Sequence, residues 1–366
     1  MSRSLGVLGL AWIVACFLVG ASPARAESPQ TANPAPTTPP APATDSPPGT
    51  AAAPATPAAT LDQLTEVVIE APEPVYVAPT LRDKIGRIWA PVTINGKGPF
   101  RLVLDTGASR SAVVNHVAQR LALKTDEPMT MIVHGVTGSA TVPGVRVNRM
   151  EVGELLMIDP SNIPVVADAF GGAEGVLGHE GLADKRIVAD FLHDKLVITR
   201  SHSQRAKDGF VTIPLKMSNS GLLFADVYVG GVKCRAIIDT GGQQSVANMA
   251  LRDALMRHPP MDARREDIIG VTLDTQQGTN VRIPPIRFAQ GLNIQNAHLT
   301  FGNLFLFEHW KLQDQPILLI GMDVLGLFDT LIIDYKMQQM QVRTRHDGGD
   351  DGIRIHTDTF TGLMAR

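Results

Sequence analysis

Asp105-Thr106-Gly107 ends the run Arg101-Leu102-Val103-Leu104, and Asp239-Thr240-Gly241 ends the run Arg235-Ala236-Ile237-Ile238. In both places β-prone apolar residues deliver an acid to a tight turn, where Thr can hydrogen-bond the backbone and Gly can take conformations closed to other residues. An acid held there is suited to proton transfer rather than to packing. One such tripeptide arises by chance in an ordinary sequence. Two, each behind an apolar strand and ahead of similar sequence, are harder to dismiss.

The segments that position these acids are themselves repeated, over 88–200 and again over 210–343. Each half opens with a hairpin turning through Gly: Pro91-Val92-Thr93-Ile94-Asn95-Gly96-Lys97-Gly98 in the first, Ala225-Asp226-Val227-Tyr228-Val229-Gly230-Gly231 in the second. After the acid, residues 114–123 and 246–257 have apolar side chains near helical spacing. A further hairpin is expected in the first half over 131–142, turning between Gly135 and Gly138. Each half closes on an apolar-apolar-Gly block, Val176-Leu177-Gly178 and Leu319-Ile320-Gly321, which lies 73 residues beyond Asp105 and 82 beyond Asp239.

With these motifs the chain resembles the retropepsin-like aspartic proteases of bacteria, as two tandem copies in one chain. The resemblance spans about 88–343. It implies an all-β fold with short helices, in which two closed β-barrel lobes are related by a pseudo-dyad where the acid loops meet. It assigns catalysis to Asp105 and Asp239 and loop support to Thr106, Gly107, Ala108, Thr240, Gly241 and Gly242. The two Thr residues would tie the loops together across the dyad. His134, Gly135 and Val136 would belong to a flap over the substrate. Two carboxylates held close cannot both ionise readily and share a proton, and this enzyme class is a standard example of the effect. One carboxylate then takes a proton from an attacking water while the other, protonated, hydrogen-bonds the peptide carbonyl. This chemistry requires neither metal nor cofactor.

The chain departs from pepsin-like enzymes three residues after each acid, where Ala108 and Gly242 lack a hydroxyl. Fewer hydrogen bonds to the charged carboxylates leave the dyad less acidic, so activity is expected at mildly acidic to neutral pH. The second loop is expected to be the weaker: two adjacent glycines loosen it, and Gln243 is placed to intrude on the site.

The rest of the 366 residues frames this core. Arg3, an apolar run from Leu5 to Gly20 and small residues at Ala24 and Ala26 read as a secretory leader, 1–26, cleaved after Ala26. A periplasmic or secreted protein follows, with an N-terminal membrane tether as the less favoured reading. Residues 27–60, mostly Pro, Ala, Thr and Ser, cannot bury enough surface to order themselves and read as a disordered linker. A lead-in segment (61–87), two lobes (88–204 and 205–345) and a tail (346–366) complete the layout. Of two Cys, Cys16 leaves with the leader and Cys234 reads as a small buried apolar residue. The formal net charge of −3 shows no basic footprint for nucleic acid. None of the ten His has metal-helix spacing, so no metal is expected. The function expected is a monomeric endopeptidase with an internal pseudo-dimer, acting on polypeptide. The alternative is a non-catalytic peptide-binding module of the cell envelope that keeps the barrel and cleft.

Overall fold

The computed structural model describes residues 10–12, 18–20, 76–79, 86–122, 129–168, 171–202, 204–256, 263–344 and 354–357. Most of the expected leader, all of the linker and the Asp347–Gly352 stretch of the tail lie outside them. Within the leader, Leu10–Trp12 runs parallel to Arg264–Ile269 and Leu18–Gly20 antiparallel to Thr130–His134. Within the tail, Arg354–Thr357 pairs with Leu292–Gln295.

Both halves are β-structure with short helices, arranged as all-β barrel lobes. Trp89–Ile94 alternates between half-buried and buried side chains, so only one of its faces meets the core. Asn95 and Gly96 turn the chain with φ of 50° and 74°, and Lys97–Leu104 returns antiparallel to it. Its last three residues, Leu102, Val103 and Leu104, are buried on both faces, which is why this strand is a continuous apolar run rather than an alternating one. The second half repeats the construction. Leu223–Val229 turns through Gly230 and Gly231 into Val232–Ile238, and Ala236, Ile237 and Ile238 are fully buried.

The closing blocks explain how each acid loop is fixed. Gly175–Leu177 lies parallel to Lys97–Leu104, with Leu177 beside Leu104, and antiparallel to Ala112–Val114 on its other side. Ile317–Ile320 lies parallel to Val232–Ile238, with Ile320 beside Ile238, and antiparallel to Val246–Ala247. Each acid loop is thus closed by three strands. The helices after the acids are shorter than the sequence suggests, Asn115–Leu121 and Met249–Leu255. Their expected first turns contain β-branched valines that pair as strands instead. Asn248 begins the second helix by accepting the Leu251 N–H at 3.1 Å.

A six-stranded antiparallel sheet joins the halves, in the order Val211–Pro214, Gln339–Arg343, Thr330–Asp334, Lys185–Asp190, Lys195–Arg200, Tyr76–Pro79. At its centre Ile187 faces Ile333, so the penultimate strands of the two lobes pair directly with each other. Across this seam the buried Arg186 guanidinium donates to Asp334 at 3.2 Å and to Gln341 at 3.0 Å. Asp334 also accepts from the Ser201 hydroxyl. Every lone pair so occupied offsets part of the cost of burying that charge.

The expected 131–142 hairpin is present as Thr130–His134 paired with Ser139–Val147. The second half carries one too, Arg264–Ile269 paired with Thr275–Arg282, which the sequence reading did not propose. Its strands begin Arg264-Arg265-Glu266-Asp267 and Thr275-Gln276-Gln277, a polar sequence with no apolar alternation to announce it.

Candidate active site

Asp105 and Asp239 stand at the ends of their strands, each held by its closing block: Asp105 N–H donates to Leu177 O at 3.1 Å and Asp239 N–H to Ile320 O at 3.0 Å. The next residue in each loop makes a reciprocal lock. Thr106 donates its hydroxyl to Ile238 O at 2.6 Å, and Thr240 donates its hydroxyl to Leu104 O at 2.7 Å. Each hydroxyl also accepts the other threonine's N–H, both at 3.1 Å. Four buried hydrogen bonds therefore cross between loops more than 130 residues apart in sequence, and each satisfies a group that would otherwise be buried unpaired.

The lock brings the two acids together. A Cβ built on Gly107 would lie 2.6 Å from Asp239 Oδ1, and one built on Gly241 would overlap the Asp105 carboxyl. Only the absence of a side chain at these two positions lets each carboxyl reach the opposite loop. Both acids are buried. Asp105 Oδ1 accepts the Gly107 N–H at 2.8 Å, while Asp239 Oδ1 accepts two, from Gly241 and Gly242, each at 3.0 Å. The remaining oxygen of each carboxyl, Oδ2, accepts no protein hydrogen bond.

Burial and then the charge of Asp239 push Asp105 well above the ordinary carboxylate range. Burial raises Asp239 to about 7, against the downward pull of the Gly242 and Gly241 N–H groups. With both acids raised and Asp239 at about 7, the pair reaches its one-proton state around neutral pH.

Residues 90–180 match the family described as aspartyl protease. The matched stretch contains Asp105-Thr106-Gly107, the 130–147 hairpin and the Gly178 block. Asp239 lies beyond it. The chain matches no curated protein.

The matched segment and its counterpart in the second half share further supports that the sequence reading missed. Ser111 and Ser245 each stand six residues after the acid. Their hydroxyls accept the N–H of Gly178 and Gly321, at 3.1 and 3.0 Å. Two residues beyond those glycines an acid grips the same serine: Glu180 accepts the Ser111 N–H at 3.0 Å, and Asp323 accepts the Ser245 N–H at 3.0 Å and its hydroxyl at 2.7 Å. Burial raises Glu180 and pushes Asp323 up to about 6. Gly178 and Gly321 must be glycine, since a Cβ would meet Arg110 O at 2.5 Å in one and Gln244 O at 2.8 Å in the other. The signal was present in the sequence as a shared Ser and a shared acid at matched offsets.

The second loop corrects the expectation that it would be loose. Gly242 is buried, its N–H donates to the Asp239 carboxyl, and its carbonyl accepts Met322 N–H at 2.8 Å. The Gln243 carbonyl accepts the Asp323 N–H at 3.0 Å. Ala108 is buried and its carbonyl accepts His179 N–H at 2.8 Å.

Of the three residues expected in a flap, His134 ends its strand, and Gly135 and Val136 form the hairpin tip. Val136 is fully buried against Leu222, Phe224, Leu304 and Leu306, and its carbonyl accepts the Leu306 N–H at 3.1 Å. His134 stacks on His309 at 4.1 Å between ring centres, and burial followed by His309 lowers its pKa. The two hairpin tips meet, with Gly270 N–H donating to the Thr137 hydroxyl at 3.0 Å. Cys234 is buried, and its thiol is pushed up to about 12 by burial, which leaves it unreactive.

Proposed function

We propose that the chain is a single-chain aspartic endopeptidase of two tandem retropepsin-like copies, with Asp105 and Asp239 as its catalytic pair. The observation that carries this reading is the close approach of the two carboxyls, each held against the other loop's glycine with one oxygen left without a protein donor. The substrate is an extended polypeptide lying beneath the paired hairpin tips, and both acids come from one chain, so the active form is the monomer. The leader over 1–26 and the linker after it support a secreted or periplasmic enzyme.

The unequal hydrogen bonding of the acids supports different roles for them. Asp239, with two backbone donors, carries the negative charge, and Asp105 carries the proton. A water bound between the free oxygens gives a proton to Asp239 as its oxygen attacks the carbonyl carbon, while Asp105 gives its proton to the carbonyl oxygen. The tetrahedral diol then collapses. The proton on Asp239 passes to the departing nitrogen, one diol hydroxyl returns its proton to Asp105, the C–N bond breaks, and a carboxylic acid and an amine are released.

The test is cleavage of an unstructured protein or a peptide library by the purified chain beside Asp105→Asn and Asp239→Asn. Each variant should lose activity by about 10³-fold or more, because the acids act as a unit. Cleavage that survives Asp239→Asn would sink the shared dyad. A parent chain that binds peptides and cuts none would instead make it a binding module.

A further inference from the structure

The acid loops match closely in backbone and differ in what stands across from each acid. Trp89 pairs with Val103, and the Leu104 N–H donates to Ile88 O at 2.9 Å; one further step of that register sets Arg87 opposite Asp105. In the second half Phe224 pairs with Ile237, and two further steps set Leu222 opposite Asp239. The preceding residues confirm the equivalence, since Gly86 and Gly221 both have left-handed φ, 88° and 84°. Directly opposed residues of an antiparallel pair send their side chains to the same face, with Cβ atoms about 5 Å apart. Matched positions beside the two acids therefore hold a guanidinium in one lobe and an isobutyl group in the other.

Arg87 is fully buried, and its Nη2 lies 3.6 Å from a Cβ built on Gly171. Its positive field reaches both acids and lowers both carboxyls. A second break of symmetry lies nearby. Asp190-Phe191 and Asp334-Tyr335 occupy matched ends of the two central strands of the joining sheet. Tyr335 is buried, its hydroxyl has no protein partner, and its phenol is pushed up first by burial and then by Asp105 and Asp239. It therefore stays protonated and adds no charge.

We infer that Arg87 is the built-in counter-charge of the dyad, a positioning residue that holds the two carboxyls in their one-proton, one-charge state. The inference rests on the proposed function above. A lone carboxylate taken out of water is costly unless a partner charge lies within reach, and a guanidinium supplies one that cannot be titrated away. The other ionisable groups near the loops are otherwise engaged. His179 packs on Tyr335 at 5.4 Å between ring centres, and burial lowers its pKa. Glu180 and Asp323 are bound by Ser111 and Ser245. Glu174, close to Gly171, accepts from Arg120 at 3.1 Å and from the Arg101 N–H at 2.9 Å.

An opposite charge lowers both proton affinities of the pair, so its removal moves both limbs of the pH–rate profile upward. The experiment is kcat/KM against pH for the full chain, Arg87→Gln and Arg87→Lys, with thermal melts to verify folding. Arg87→Gln keeps hydrogen-bonding capacity and loses the charge. Both limbs should rise by about one pH unit or more, which lowers activity on the acid side roughly tenfold. Arg87→Lys should leave both limbs in place.

Limbs unmoved in a folded Arg87→Gln overturn the inference. So does an Arg87→Lys profile displaced as far as that of Arg87→Gln, since charge would then not be the property that matters. If Arg87→Gln does not fold, Arg87→Lys decides alone: limbs in place support the counter-charge and displaced limbs refute it. A parent chain without cleavage at any pH removes both the dyad and its counter-charge, whereas unmoved limbs in an active enzyme remove the role of Arg87 only.

Discussion

The first acid loop, from Asp105 to Ser111, and the second, from Asp239 to Ser245, share the contacts that lock them together and differ in contacts that set charge. Both have the threonine lock, the closing-block carbonyl behind the acid, and the serine six residues on. They differ in the donors to the carboxyl, one against two, and in the residue across the ladder, Arg87 against Leu222. The shared set is what geometry demands of two carboxyls held in contact. The unshared set is free to vary once both acids belong to one chain, because the two sides of the site need no longer be identical.

The sharpest way to break this comparison is to crowd each glycine in turn. Gly241→Ala drives a methyl group into the Asp105 carboxyl, and Gly107→Ala brings one to 2.6 Å of Asp239 Oδ1. Neither neighbour can retreat without losing its hydrogen bonds to the loop. Each substitution should reduce kcat/KM by about 10²-fold, in line with the sensitivity of catalysis to displacements near 1 Å. Gly241→Ala should be the worse. Near-parent activity in Gly241→Ala would mean that the two carboxyls are not held in contact.

The second comparison is of stability against pH. Asp239 ionises near 3.8 in an unfolded chain and at about 7 in the fold, so between these values the folded state holds a proton that the unfolded state has released. Stability therefore falls as pH rises through that window, and the loss is complete above 7. Asp239→Asn removes the loss. Its melting temperature should exceed the parent's at pH 8, by the equivalent of about 2 to 4 kcal/mol, and match it near pH 3.5. Melts that differ equally at both pH values would refute the raised affinity of Asp239 for its proton.

Much of this was legible in the sequence. The acids, the threonines, the first-half hairpin and the closing blocks stand in patterns of hydrophobic run and turn residue, which local physics imposes on any chain that builds them. The second hairpin was not legible, because its polar strands take their order from pairing with each other and with His298–Phe301 rather than from a buried face. The weakness expected of Gly242-Gln243 was misjudged for a related reason. Composition alone ranks two glycines as floppy, yet tertiary hydrogen bonds from Met322 and Asp323 pin both residues. Arg87 was invisible as a site residue because its meaning depends on ladder register, which places it opposite an acid 18 positions away.

The threonine lock offers a test of what the loops share. Thr106→Val and Thr240→Val each leave buried groups unpaired, Ile238 O or Leu104 O together with the partner threonine's N–H. Each should cost about 1 to 3 kcal/mol of stability. Because the two hydroxyls belong to one network, the double variant should cost less than the sum, with a coupling of about 1 kcal/mol. Strict additivity by denaturant melts would indicate two independent bonds rather than one lock.

The smallest effect separates the two serine braces. Ser111→Ala removes the acceptor of the Gly178 N–H but leaves the Ser111 backbone N–H on Glu180. Ser245→Ala removes the acceptor of the Gly321 N–H and also the 2.7 Å donor to Asp323, a carboxyl more deeply buried than Glu180. Losing one hydrogen bond costs about 1 kcal/mol, and losing a donor to a buried acid adds to that. Ser245→Ala should therefore destabilise by about 1 kcal/mol more than Ser111→Ala at pH 8. The gap should close as pH falls below 6, where Asp323 takes up a proton and no longer depends on the donor to hold a charge. A gap that is the same at pH 5 and pH 8 would show that Asp323 does not change its charge between them, and that the two braces differ in hydrogen-bond count alone.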